Sequence, residues 1–249
     1  MNDLLTIYIT NYNYGKYLKK SIRSVLNQNY KKLFLIIIDD ASTDNSKKIL
    51  SKFEKKSNIK IFYNKKKTGL VKSANLAIKN AKGKYILRLD ADDYLKKNAI
   101  KILYSEIKNK KNIKMVFPNF FWVNDKNKII SKFNYEHKSN YSLLDYPAHG
   151  ACALIDLEFL KKINGYCEKF DRQDGFYLWL SIILKKYKIK HIKNYLFFYR
   201  KHKKNLSNNF LKLYKTRNEI INFFINKKIK KKQLLILKDK TNKIIKSLK

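Results

Sequence analysis

The stretch LFLIIIDDASTDNSKKILSKF, residues 33–53, decides the fold. It opens as an unbroken apolar run, Leu33 to Ile38, with no polar residue at alternate positions. A strand with one wet face alternates polar and apolar residues. A strand without alternation is covered on both faces, as in a parallel sheet between helices. The run stops at Asp39-Asp40, the helix-capping types Ser42 and Asp44 follow, and a helical pattern begins. Working outward, LLTIYIT (4–10) reads as a strand, and residues 16–27 place Leu18, Ile22, Val25 and Leu26 on one helical face. IKIFYN (59–64), a helix over 70–81 and KYILRLD (84–90) complete another round. Alternation at this spacing predicts right-handed βαβ units and an α/β fold. Residues 113–133 then predict a hairpin turning at NDKNK, which makes the sheet mixed but mainly parallel. A strand near 151–155, a helix near 156–163, the aromatic helix from Asp174, and the strands IKHI and YLFFYR follow. Lys-rich helices occupy 206–249.

The chain has 249 residues, 57 Lys+Arg against 19 Asp+Glu, and a formal charge of +38. Apolar residues at 45% are enough for a packed core and exclude disorder. Nearly all the cations are Lys, and the joint bias to Lys, Asn and Ile is what drift in an AT-rich genome produces. A charge of this sign also attracts phosphate-bearing ligands and anionic membrane surfaces. Nucleic-acid binding would call for arginines interleaved with aromatics on one face. Arginine occurs only at 23, 88, 172, 200 and 217, so no nucleic-acid partner is expected. Cys152 and Cys167 form no CxxC pair. No secretory leader is read at the N-terminus, and no apolar run approaches the ~18 residues that span a bilayer. The expected location is cytoplasmic; the Lys-rich C-terminal helices either rest on the inner face of the cell membrane as a peripheral contact or pack on the domain.

Acid is concentrated where this chain needs it least for solubility. YILRLDADDYL (85–95) places Asp90, Asp92 and Asp93 at the end of an apolar strand. Two carboxylates one residue apart can reach one hard cation that keeps positions for diphosphate oxygens, as Mg²⁺ or Mn²⁺ does. The structural alternative is a turn in which Asp92 or Asp93 caps a helix over 96–109. Asp39-Asp40 is a second acidic pair at a strand end, suited either to loop and cap building or to base and ribose recognition. TNYNYG (10–15) offers Thr10, Asn11 and Tyr12 beside it. Asp174 opens the helix DGFYLWL and is either an N-cap or a general base, with Asp171 as its rival.

In order and spacing these segments resemble the family 2 glycosyltransferases. ITNYNYGKYLKKSIRSVLNQNYKKLFLIIIDDASTDNS is similar to their opening, GLVKSANLAIKNAKGKYILRLDADDYL to their centre, and INGYCEKFDRQDGFYLWLSI to their acceptor-side segment. The resemblance spans residues 4–205 and implies an inverting GT-A enzyme that uses a nucleotide-diphosphate sugar. A glycosyltransferase domain would cover 1–205, with a nucleotide half (1–110), an acceptor half (111–205) and a helical extension (206–249).

It further implies that Thr10 and Tyr12 contact a uracil, with Asn11 between them, that Asp40 binds the base with Asp39 beside it, and that Asp90 and Asp92 form the D-x-D pair. Asp92, Asp90 and Asp93 would hold Mn²⁺ or Mg²⁺, and Asp174 would be the base. The chain departs from the family at Thr10-Asn11-Tyr12-Asn13, where relatives read Pro-Thr-Tyr-Asn, and at Gln173-Asp174, where many read Glu-Asp. His149, Trp179, Arg200 and His202 are weaker candidates for the acceptor or the diphosphate. The implied partners are a UDP-sugar and a glycan or lipid-linked acceptor of the cell envelope. The rival functions are a silent sugar-nucleotide binder on the same fold and a sugar nucleotidyltransferase, for which TNYNYGKY is a poor phosphate loop.

Overall fold

In the computed structural model, residues 4–203, 205–227 and 231–248 are described. The first half runs β1 (Leu5–Asn11), α1 (Gly15–Leu26), β2 (Leu33–Asp39), α2 (Ser46–Leu50), β3 (Ile59–Tyr63), α3 (Leu70–Asn80), β4 (Tyr85–Asp90), β5 (Tyr94–Leu95) and α4 (Ala99–Ile107). The second runs β6 (Ile113–Val123), β7 (Ile129–Phe133), β8 (Leu154–Asp156), α5 (Leu157–Lys162), α6 (Asp174–Leu184), β9 (Lys188–Arg200), α7 (Phe210–Asn226) and α8 (Lys231–Ser247).

Among the described residues the nine strands form one sheet ordered β3-β2-β1-β4-β8-β6-β9-β5, with β7 paired to β6. β3, β2, β1 and β4 are mutually parallel, β8 runs antiparallel between β4 and β6, and β9 is parallel to β6. Every residue of β2 is buried, as its unbroken apolar run requires. Each of its aliphatic side chains contributes about 1.5–3 kcal/mol by leaving water. Register matters most for function. Thr10 lies opposite Asp90 and Asn11 opposite Asp39, so the carboxyl ends of β1, β2 and β4 form one edge.

Four local expectations change. The helix after Asp44 has only five residues, and a tighter turn carries Leu50 and Phe53 inward, with Phe53 N bonding Leu50 O at 2.8 Å. IKHI and YLFFYR are one strand, β9, because β6 runs alongside all of it. A short strand, β5, pairs with β9 directly after the acidic cluster, and α4 starts only at Ala99. Asp93 therefore does not cap that helix, whose N-cap position is Asn98.

The C-terminal extension packs on the body. Ile220, Ile221 and Phe224 of α7 are buried, and Phe224 stacks on Tyr177 of α6 at 5.4 Å between ring centres. Leu234 of α8 is buried as well. No described helix is long and apolar enough to cross a membrane.

Candidate active site

A cleft of about 860 Å³ opens over the carboxyl ends of β1 and β4. Thr10, Asp90 and Asp92 border it on one side, and His149, Gln173 and Asp174 on another. The side chain joining the two is Arg88, on β4. Its Nε donates to Asp90 Oδ1 at 2.6 Å, its Nη2 to Asp90 Oδ2 at 3.0 Å, and its Nη1 to Asp174 Oδ2. The Arg88 and Asp174 side chains are only 8% and 6% exposed. A guanidinium fork suits such planar, two-sided pairing better than an ammonium. Burial pushes the Asp90 carboxyl up, but the charge and hydrogen bonds of Arg88 outweigh it and hold the group below the usual range.

Glycine makes this junction possible. A Cβ on Gly150 would lie 3.2 Å from Arg88 Nη1, and one on Gly175 would lie 3.1 Å from the Gly150 Cα. The 147–151 loop and the start of α6 therefore approach backbone to backbone. Gln173 takes the N-cap position at φ 62°, and Asp174 is the first residue of α6. The Asp174 carboxylate is spent on Arg88 rather than on capping, and Asp171 lies apart, paired with Arg172 and Lys212.

The three acids of the D-x-D segment have separate surroundings. Asp92 Oδ2 meets His202 Nε2 at 2.8 Å, and the His202 ring stacks on Tyr17. Burial, the largest cause, and the neighbouring Asp90 charge push the Asp92 carboxyl up, against His202. Asp93 is turned inward because β5 pairs with β9 there. Its Oδ1 accepts from Arg200 N at 2.8 Å, and its Oδ2 is buried without a hydrogen-bond partner. Burial and then the charges of Asp92 and Asp90 push it well above the carboxylate range.

Among the described residues no three His, Cys, Asp or Glu side chains converge as a closed metal site. The donor set does fit a hard divalent cation held by one or two carboxylates and completed by a bound diphosphate. Asp90 and Asp92 border the cleft as such donors. Asp93 faces away from the cleft.

The remaining expected residues divide. Thr10 borders the cleft. Tyr12 is exposed with Lys67 over its ring at 3.8 Å. Asn11 donates to Asp39 Oδ1, Ser42 Oγ and Ser46 Oγ, and Asp39 also accepts from Ser42 N. Both residues are buried and build the loop after β2. Asp40 accepts from Asn64 Nδ2, Thr68 N, Thr68 Oγ1 and Gly69 N, which ties down the 64–69 loop. His149 lines the cleft, and burial lowers its imidazole to about 4.

Two weak candidates are corrected. Trp179 is fully buried against Phe117 and Tyr141 with its Nε1 donating to Ser142 O, so it belongs to the core. Arg200 is also buried. It donates to the carbonyls of Asp92 and Asn124 and to Asn127 Oδ1, so it braces the acidic loop from beneath.

Sequence reasoning missed Arg88, although a lone arginine inside the apolar run of a central strand demands partners. It also missed the aromatic wall of Phe120, Trp122 and Tyr199, and Arg217 on α7.

The comparisons identify the family and the fold. The model of "Glycosyl transferase family 2" matches residues 6–163. The UDP-Glc:alpha-D-GlcNAc-diphosphoundecaprenol beta-1,3-glucosyltransferase WfgD of Escherichia coli is 32% identical over 184 residues, which is 74% of this chain and 71% of that protein. The glycosyltransferase GlyG of Streptococcus pneumoniae serotype 4 is 34% identical over 122 residues, 49% of this chain, and this chain spans only 40% of its length. Among solved structures, S. aureus TarS 1-349 in complex with UDP-GlcNAc superposes with a TM-score of 0.73 at 18% identity. That match covers 93% of this chain and 69% of the other, and it shows a shared GT-A fold. With the family model over most of the sheet and a close relative over most of the chain, this chain belongs to the family 2 glycosyltransferases and is a glycosyltransferase enzyme.

Proposed function

We propose that the chain transfers a sugar from a UDP-sugar to a hydroxyl of a lipid-linked or other cell-envelope glycan, with inversion at the anomeric carbon. The observation that carries this reading is the Asp90–Arg88–Asp174 bridge. It ties the donor-side acid of a D-x-D strand end to a buried acid at the head of α6, across one cleft. Residues 1–110 serve the nucleotide and 111–205 the acceptor. The division at 205 is not sharp, because Phe210, Leu213 and Arg217 of α7 also line the cleft.

Thr10 and Tyr12 flank the base. Asp40 shapes the base pocket through the 64–69 loop, with Asn11 and Asp39 supporting it from behind. Asp90 and Asp92 would hold a Mn²⁺ or Mg²⁺ ion, which when bound supplies positive charge to the departing diphosphate oxygens. Asp174 takes the proton of the acceptor hydroxyl as that oxygen attacks, and Arg88 fixes the carboxylate in place. One base and no protein nucleophile give a single displacement, hence a β-linkage from an α-donor. His202 steadies Asp92, and His149 lies on the acceptor side. Relatives that act on diphosphoundecaprenol-linked sugars, such as WfgD, support the choice of acceptor class.

The chain would work at the cytoplasmic face of the cell membrane. On α8, Leu235, Ile236 and Ile244 are exposed among lysines, which suits an anionic lipid surface. Sedimentation with anionic against neutral liposomes checks this, and equal partition retires it.

The deciding experiment compares wild type with Asp174→Asn in UDP binding and in transfer, with Mn²⁺ and with EDTA. Expected is retained, metal-dependent UDP binding with transfer lowered about 10²–10⁴-fold. Turnover within tenfold of wild type in the variant removes Asp174 as the base. UDP binding indifferent to EDTA removes the metal.

A further inference from the structure

Arg217 sits on α7, outside the family-matched residues, and its side chain lines the same cleft as Asp174, Phe176 and Tyr146. Its guanidinium lies over the rings of Phe176 and Tyr214, at 5.1 and 5.2 Å from the centroids. Its Nε donates to Gln173 Oε1 at 2.8 Å, one residue before Asp174. That partner is neutral. Among the described residues no carboxylate forms an ion pair with Arg217, and the nearby Asp171 is taken by Arg172 and Lys212. Burial pulls the Arg217 pKa below the usual arginine value, with the phenols of Tyr146, Tyr214 and Tyr135 opposing it.

A half-buried cation held by a neutral amide and two ring faces keeps donors for an anion and lacks one within the protein. Arg200 makes the contrast. That arginine is fully buried, and carbonyls and an amide oxygen take its donors.

We infer that Arg217 is the anion-binding residue of the acceptor subsite, and that the acceptor saccharide carries an oxyanion, phosphate or carboxylate, next to the sugar being extended. This rests on the reading of the cleft as a sugar-transfer site. The C-terminal helices are then part of the enzyme's acceptor recognition as well as a packed appendage. Gln173 has a defined part in it: it orients Arg217 without cancelling its charge.

The test titrates the full chain, saturated with UDP and Mg²⁺, with three probes: N-acetylglucosamine 1-phosphate, its neutral methyl glycoside, and glucuronic acid. Saturating UDP keeps the phosphate probe out of the donor site. Wild type should bind at least one anionic probe more tightly than the neutral one, and whichever binds identifies phosphate or carboxylate as the source. Arg217→Gln should weaken that anion about ten- to a hundredfold and leave the neutral glycoside unchanged. Gln173→Glu supplies the missing counter-charge internally and should weaken the anion similarly. Arg217→Lys, which keeps the charge, should restore most of the preference.

Equal affinity of wild type for anionic and neutral probes overturns the inference. So does an Arg217→Gln protein that binds the anion like wild type. UDP binding is read in the same samples, so a failure of the donor site is scored separately from a failure of Arg217.

Discussion

Replacing Arg88 with Met removes a charge from between two buried carboxylates and leaves an apolar chain of similar reach. Three hydrogen bonds disappear, two to Asp90 and one to Asp174. Removing one partner of a buried pair costs about 3–5 kcal/mol, mostly for the charge left behind. Here Asp174 is 6% exposed and Asp90 20%, so the lower part of that range applies, about 3–4 kcal/mol. Asp174→Asn should cost less, about 1–2 kcal/mol, because the amide oxygen still accepts from Arg88 and Arg88 keeps Asp90. If orphaned charge is the cause, the double variant strands only the better-solvated Asp90. Its cost should then fall short of the sum of the single costs by about 2 kcal/mol. Urea unfolding followed by far-UV circular dichroism, without nucleotide, gives all four corners of the cycle. In a chain of this size Arg88→Met alone should lower Tm by roughly 6–15 °C. Additivity within about 0.5 kcal/mol would mean that the loss is packing, and that Arg88 does not couple the two acids.

Two further outcomes follow from groups away from the acids. Burial, then His137 and Lys193, lower the His191 imidazole to about 4, against about 6.5 in an unfolded chain. The unfolded chain therefore binds more protons across that window, so stability is full above pH 6.5 and declines as pH falls toward 4. Allowing for partial solvent screening, the loss is on the order of 1–2 kcal/mol. His191→Gln should remove about half of the slope, because His149 is lowered in the same direction; an unchanged slope refutes the assignment. Separately, Gly83→Ala places a Cβ 1.9 Å from the Leu4 carbonyl oxygen at φ +82°, whereas Gly69→Ala meets nothing within 4 Å at φ +93°. Thermal unfolding should show about 1–2 kcal/mol of backbone strain for Gly69→Ala and a clearly larger loss for Gly83→Ala; equal losses would mean that strain alone decides.

The first half of the fold was legible because its signals are local. An apolar run that stops at Asp39 states both strand type and strand end, and the register Thr10–Asp90 follows from pairing such runs in parallel. What stayed hidden depends on distant partners. Asp93 looks equivalent to Asp92 in the chain, yet the pairing of β5 with β9, more than 100 residues away, turns it under the sheet. Trp179 and Tyr177 lie two positions apart on the same aromatic helix. One is sealed by the 141–142 loop and the other is met by Phe224 of α7, which no helical period could separate. Asp174 could be read as a cap or as a base because both begin a helix. The group that takes its carboxylate, Arg88, lies 86 residues earlier in the chain.

The five arginines carry more information than the lysines, and for a physical reason. Lysine can be scattered by composition because its charge stays in water. A guanidinium drawn into the protein must instead find acceptors for a rigid fork. Arg88 finds two carboxylates, and Arg200 finds carbonyls and an amide oxygen. Arg217 finds a single neutral acceptor and two aromatic faces. In a chain of charge +38 the informative cations are thus the few drawn wholly or partly into the protein. Ranked by how completely their donors are used, Arg200 braces a loop, Arg88 joins the two sides of the cleft, and Arg217 lines that cleft with one neutral acceptor.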